Sequence, residues 1–259
     1  MEKYTQIRVE NLQGVRHIRI ERPQVNNKLS IQCMNEIERA IREAQSMEDN
    51  RAIVLSGGEE WFCAGGELGD FRKKSILEIK EFGTAFINLH LAMRTSPRPI
   101  IAAVEGKAFG GGCSLVDACD LAVAGEGAEF AVPEILDGLA PAMGFSGLFA
   151  ALTKKRTMAL GLLGEKLSAR QAMELGLINT VAGQGKAVEV AQEMAQRIAG
   201  YNPTAVKMFK ELYCDMEARA YENRLRTGQA MMIALFKSED GMEYLTCKEE
   251  GRPPVWSGK

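Results

Sequence analysis

An α/β architecture is predicted from three observations. Residues 51–56 and 100–104 are short, continuously apolar runs, and 121–124 is a weaker third. The stretches between them carry apolar residues at helical spacing, and from Lys154 onward nearly every signal is helical. Strands that are apolar on both faces need cover on both faces, which a sheet flanked by helices provides.

The elements follow in order. Ile7 and Val9, then Val15, Ile18 and Ile20, flank Asn11-Leu12-Gln13-Gly14 and predict a β-hairpin with Gly14 as the turn residue. Arg22-Pro23 ends the second strand. Ser30 can cap a helix carrying Met34, Ile37, Ile41 and Ala44 at helical spacing. Asn50 precedes the run at 51–56, and Pro97 and Pro99 lead into that at 100–104. Further on, Ser168-Ala169-Arg170-Gln171 is a capping-box pattern, and Asn202-Pro203 places a cap before proline at a first helical position. A long helix is expected over 218–237, with Met231, Met232, Leu235 and Phe236 near its end. The coarse division is an α/β core at 1–195 and a C-terminal helical region at 196–259.

Composition narrows the function. The chain has 259 residues, 46% apolar and 25% charged, which is ordinary for a globular domain with a sizeable core. Its 32 basic and 34 acidic residues give a net charge of −2, without the positive field that holds a nucleic-acid backbone. No apolar run reaches the length of a spanning helix, and the start lacks a signal-peptide core, so a cytoplasmic protein is expected. The six cysteines show no CxxC pair and are expected to be reduced. No HExxH or Cys/His cluster offers a metal site. His17 and His90 are the two histidines, and neither stands near a serine or cysteine nucleophile in the chain, which argues against a Ser-His-Asp or Cys-His arrangement.

Two glycine segments and one acid remain. Phe62-Cys63-Ala64-Gly65-Gly66-Glu67 follows the first apolar run, and Gly106-Lys107-Ala108-Phe109-Gly110-Gly111-Gly112-Cys113-Ser114 follows the second. Neither is a dinucleotide or phosphate-loop fingerprint. If they converge, their exposed N–H groups could hold one developing negative oxygen; the alternative is plain turn geometry. Glu134 sits in the apolar setting Phe130-Ala131-Val132-Pro133-Glu134-Ile135-Leu136, which opposes ionisation and suits a general base or acid. The alternative there is a glutamate hydrogen-bonded at a helix start. Asp117, Asp120 and Asp137 read as caps or structural hydrogen-bond partners.

Together these residues resemble the crotonase superfamily, the enoyl-CoA hydratases and isomerases, over nearly the whole chain. The matching pieces are Arg22-Pro23 with Asn27, the two glycine segments, Pro99 to Gly106, Ala118-Cys119-Asp120, Pro133-Glu134, Gly138-Leu139, Ser168-Ala169 with Ala172, Gly176-Leu177 and Asp240-Gly241-Met242. The resemblance implies a crotonase-like (ClpP/crotonase) spiral of repeated ββα units with a helical C-terminal region. It also implies an oxyanion hole built from the N–H groups of Gly66 and Gly111, which binds a thioester carbonyl. Hydratases of this family resemble a two-glutamate design; here the later acid is Glu134, and the earlier position is Ser114. That departure favours a single-carboxylate enoyl-CoA isomerase, with enoyl-CoA hydratase as the alternative. A carboxyacyl thioester decarboxylase with Lys74 guiding the carboxylate, and a silent scaffold or RNA-associated relative, are the remaining readings.

The resemblance further implies that coenzyme A enters as part of the substrate, with no permanently bound cofactor; the thioester could also be a carrier-protein one. It places Asn27, Lys28, Leu29 and Ala64 beside the CoA and Leu139, Met143 and Phe145 along the acyl pocket. Arg72, Lys73 and Lys74 could meet the CoA phosphates; the alternative is a solvated charged run. A homotrimer or hexamer is the implied assembly.

Overall fold

The protein is described by a computed structural model over residues 3–148 and 152–257. Strands β1 (Ile7–Leu12) and β2 (Val15–Ile20) form the predicted hairpin. Gln13 and Gly14 both take positive φ (50° and 77°), as a two-residue turn twisting with its strands requires. Helix α1 (Ile31–Ser46) begins where Ser30 Oγ accepts the Cys33 N–H at 3.0 Å, and it buries Met34, Ile37, Ile41 and Ala44.

Three units then repeat one plan. They are β3 (Ala52–Ser56), β4 (Trp61–Cys63) and α2 (Ile76–Thr95); β5 (Ile100–Val104), β6 (Lys107–Phe109) and α3 (Gly111–Ala118); and β7 (Leu121–Gly125), β8 (Glu129–Ala131) and α4 (Ala142–Leu148). The last unit carries a 3₁₀ turn, Pro133–Asp137, ahead of its helix. The chain continues with α5 (Lys154–Leu163), β9 (Lys166–Ser168), α6 (Ala169–Glu174), β10 (Thr180–Ala182), α7 (Ala187–Ala199), α8 (Pro203–Phe236) and α9 (Glu239–Glu250).

Each unit sends its first strand to a six-stranded sheet, ordered β1-β2-β3-β5-β7-β10, and its second to a four-stranded sheet, β4-β6-β8-β9. Pairing is parallel except at β1–β2 and β8–β9. This is the expected spiral of ββα units. The strands expected at 51–56, 100–104 and 121–124 are β3, β5 and β7, buried on both faces as predicted except for the half-buried Leu121. On one face α7 lays Ala187, Ala191 and Ala195 against Val54, Ile101, Ala103 and Val123; its small side chains let the helix approach closely.

Three expectations need correction. Each glycine segment lies between a buried strand and a helix, but the short strands β4 and β6 there were not expected. Three residues are too few to display a period. The region after Lys154 is not wholly helical, since β9 and β10 complete the two sheets. The long C-terminal helix starts at Pro203, not near 218: Asn202 Oδ1 caps it through the Thr204 N–H at 2.9 Å. The residue 195/196 division falls within α7.

The units pack backbone to backbone where α3 starts. A Cβ on Gly112 would lie 2.2 Å from the carbonyl oxygen of Cys63. Gly112→Ala should therefore destabilise the protein although alanine is the better helix former, by roughly 2 kcal/mol or more. A urea-unfolding midpoint at or above that of the wild type would contradict this packing.

Candidate active site

The two glycine loops converge. A Cβ on Gly65 would lie 3.3 Å from the Gly111 amide nitrogen, and one on Gly111 would lie 3.6 Å from that of Gly66. In the parallel bridge between Leu29 and Gly66, the Leu29 N–H donates to Gly65 O (2.8 Å) and the Glu67 N–H to Leu29 O (2.9 Å). The Gly66 amide therefore faces away from Leu29. Gly111 opens α3, where the first N–H groups have no carbonyl one turn back. Among the described residues neither N–H donates to a backbone acceptor. Two unengaged donors thus stand together at a helix N-terminus, a geometry suited to an oxyanion.

Glu134 reaches the same place from the third unit. The Gly110 N–H donates to Ala131 O at 2.9 Å, tying the start of α3 to the strand that leads into the Pro133–Asp137 turn. A Cβ on Gly110 would lie 2.6 Å from Glu134 Oε1, so the carboxyl rests on the backbone of the second loop. Its Oε2 is buried and has no hydrogen-bond partner among the described residues. Burial pushes this carboxyl up to about 7; its own backbone N–H opposes the shift, and the charge of Asp137 adds to it. Such a group populates both protonation states near neutral pH and can take and return a proton.

Ser114 has a partner that the sequence reading missed. Its Oγ lies 2.9 Å from His90 Nε2, and His90 Nδ1 lies 2.9 Å from Phe86 O. A carbonyl can only accept, so Nδ1 carries the ring proton. Burial pushes the imidazole down to about 4, so Nε2 is unprotonated and must accept from the serine hydroxyl. The expectation that neither histidine stands beside a serine is thereby corrected, and His17 likewise lies 2.7 Å from Ser56 Oγ. Among the described residues no carboxylate completes a triad at His90, because a backbone carbonyl holds its outer nitrogen. Phe86 and His90 share a face of α2, but nothing in the chain marks Ser114, 24 residues on, as the partner of that face.

The other expected site residues divide into groups. Leu139 and Met143 are both buried, and the Leu139 N–H donates to Glu134 O at 3.0 Å. Phe145 packs instead toward α5, where a Cβ on Gly161 would lie 3.1 Å from its ring. Asn27 is buried as a brace, accepting the Arg22 N–H and donating to Trp61 O, each at 2.8 Å. Lys28 is exposed, Leu29 is buried, and the Ala64 N–H donates to Asn26 O at 3.1 Å. Lys74 lines a cleft of about 530 Å³ with Arg22, Glu67, Leu68, Phe82 and Phe236. Arg72 is committed elsewhere, to Asp70 at 2.9 Å and to Glu249 on α9 at 2.9 Å. That corrects its expected phosphate role. Of the apolar group ending α8, Met232 and Phe236 are buried while Met231 is exposed.

Comparison with known proteins places this geometry. The model of the enoyl-CoA hydratase/isomerase family matches residues 10–259. The chain belongs to that family. It is 33% identical over 240 residues to a mitochondrial enoyl-CoA hydratase of Pongo abelii, covering 91% of this chain and 81% of the relative. It is 29% identical over 244 residues to the short-chain-enoyl-CoA hydratase of Clostridium acetobutylicum, covering 91% of each. Among solved structures, an enoyl-CoA hydratase/isomerase from Pseudoalteromonas atlantica superposes with a TM-score of 0.87 at 25% identity, covering 98% of this chain and all of that one.

Within this family member, Gly66 has an unread partner. A Cβ there would lie 2.8 Å from Phe82 Cζ, so the ring fills the space an alanine methyl would take. Gly66→Ala should cost roughly 1–3 kcal/mol by overpacking, and Gly66→Ala with Phe82→Leu should regain at least half of it. Denaturant titration of the single and double variants beside the wild type checks this; equal losses in the two would contradict it.

Glu134 also makes a signed prediction about pH. Its carboxyl titrates near 4.5 when unfolded and at about 7 when folded. Folding therefore favours the protonated form, and that stability is complete below 4.5 and lost as pH rises through 7. Glu134→Gln cannot ionise, so its melting temperature should match that of the wild type near pH 4 and exceed it above pH 7. Parallel curves across that range would contradict the burial of Glu134.

Proposed function

We propose that this protein shifts the double bond of an enoyl-CoA, with Glu134 as the single general base and acid. The supporting observation is that the Ser114 hydroxyl is given to a buried neutral His90, so the position where hydratases resemble a second glutamate offers no ionisable group. In this reading the Gly66 and Gly111 N–H groups bind the thioester oxygen. Glu134 takes a proton from C2 of a 3-enoyl thioester, and the negative charge moves onto the oxygen held by the two N–H groups. The same carboxyl then returns the proton to C4, leaving the double bond between C2 and C3. Each donor of such a pair typically contributes roughly 3–4 kcal/mol to the transition state.

Asn27, Lys28, Leu29 and Ala64 would border the CoA through the backbone behind the first loop, and Lys74 would be the cation for its phosphates. Leu139 and Met143 would wall the acyl group. Hydration is the second reading, favoured by the names of the Pongo abelii and Clostridium acetobutylicum relatives. A trimeric or hexameric assembly fits the exposed Met208, Phe209, Leu212, Tyr213 and Met216 on α8. Light scattering at micromolar concentration should give a multiple of three chains, and a stable monomer would contradict that assembly.

With 3-hexenoyl-CoA as substrate, Glu134→Gln should lower kcat by roughly 10²–10⁴-fold and abolish deuterium uptake at C2 and C4. Ser114→Ala should retain most turnover while losing roughly 1–3 kcal/mol of stability, because it strands His90 Nε2 without a donor. Full activity in Glu134→Gln, or an equal loss in Ser114→Ala, would sink the single-carboxylate reading.

A further inference from the structure

Helix α9 and the tail behind it touch two turns near the site, Phe71–Lys73 and Pro133–Asp137. On one side, Glu249 holds Arg72, and Tyr244 stacks on Phe71 with ring centroids 6.4 Å apart. These contacts anchor α9 to the Phe71–Lys73 turn, just beyond the first glycine loop. On the other side, Lys248 Nζ lies 2.9 Å from Asp137 Oδ1, in the turn that carries Glu134. The tail then folds back along α9. Arg252 grips Glu243 with both terminal nitrogens, the Val255 N–H donates to Glu243 at 2.7 Å, and the Ser257 N–H donates to Asp240 at 2.5 Å. This return lays the ring of Trp256 on Gly138, the residue that ends the Glu134 turn. A Cβ on Gly138 would lie 2.2 Å from Trp256 Cη2.

We propose that α9 and its tail form a strap that positions Glu134, with Lys248 and Trp256 as the positioning residues and the Phe71–Lys73 turn as its anchor. The inference rests on the reading of Glu134 as the proton-transfer group, but adds two residues, neither of which touches the substrate in it. The two contacts act by different physics. Lys248 offsets the charge of Asp137, three residues from Glu134, whereas Trp256 keeps water off the end of the turn. Tyr244 OH accepts from Lys248 at 2.8 Å, and Cys113 on α3 is buried with its thiol pushed well up by burial. Helix α5 meets the turn through its last residue's neighbour Gly164, on which Leu136 rests, while Lys154, Lys155 and Arg156 are exposed in its first turn. Arg252 and Glu243 are paired with each other.

The test reads Glu134 directly, without turnover. Infrared spectra over pH 5–9 isolate its protonated carboxyl band as the one missing from Glu134→Gln. Lys248→Met should raise the midpoint of that band by roughly 0.2–0.7 pH unit, as expected for losing a partly exposed cation. Lys248→Arg should restore the wild-type value. Trp256→Ala should lower the midpoint, because water admitted to the turn favours the charged form. A structural loosening alone would wet the turn in both variants and lower both midpoints. Midpoints that move in the same direction, or do not move, overturn the strap while a normal wild-type band leaves the reading of Glu134 intact. Absence of the band from the wild type overturns both.

Discussion

The site depends on one constraint: the backbones of successive ββα units must touch at the start of α3. Gly112 sits against the Cys63 carbonyl at a distance that leaves no place for a Cβ, and Gly65, at a φ of 96°, packs tightly against the Gly111 amide. Side chains at these points would push the first loop off the second. The same approach leaves the Gly66 and Gly111 N–H groups side by side and, among the described residues, without backbone partners. A binding geometry for a negative oxygen is thus a by-product of how the units stack. The remaining site elements are positioned from that contact. The bond from Gly110 to Ala131 O fixes the third unit, and with it the turn that presents Glu134.

Electrostatics then separates two positions that could each have held an acid. At Glu134 burial, an Oε2 with no partner among the described residues and the nearby Asp137 keep a carboxyl poised between its two states. At Ser114 the hydroxyl proton goes to His90, and the imidazole is held neutral by burial. The pair is fully buried and satisfied on both sides, which makes it inert packing between α2 and α3. One poised acid beside two backbone donors suits moving a proton between carbons of one molecule. Activating water on one side while delivering a proton on the other asks for two such groups.

Much of this was legible in the residues. The buried strands β3, β5 and β7 announced themselves because a strand covered on both faces has no polar alternation. The caps at Ser30, Ser168 and Asn202 were legible because capping is local chemistry. The two glycine segments and the apolar setting of Glu134 marked the candidate site, and the structure brings them together. What stayed hidden depends on distance in the chain or on size. Strands β4, β6 and β8 are three residues each, too short for a period. The contacts of Ser114 with His90, Gly66 with Phe82, and Trp256 with Gly138 join residues 16 or more apart, and no local pattern marks them. Arg72 looked available for phosphates because its partner Glu249 lies 177 residues on.

The central claim is that one carboxyl moves a proton between carbons and that no water is added. Incubating the wild-type protein with 3-hexenoyl-CoA and, separately, 2-hexenoyl-CoA in ¹⁸O-labelled water tests it most directly, with products resolved by mass and chromatography. The account predicts interconversion of the two enoyl thioesters with no ¹⁸O in either product. Rapid formation of ¹⁸O-labelled 3-hydroxyhexanoyl-CoA from the 2-enoyl substrate, without movement of the double bond in the 3-enoyl one, would contradict it.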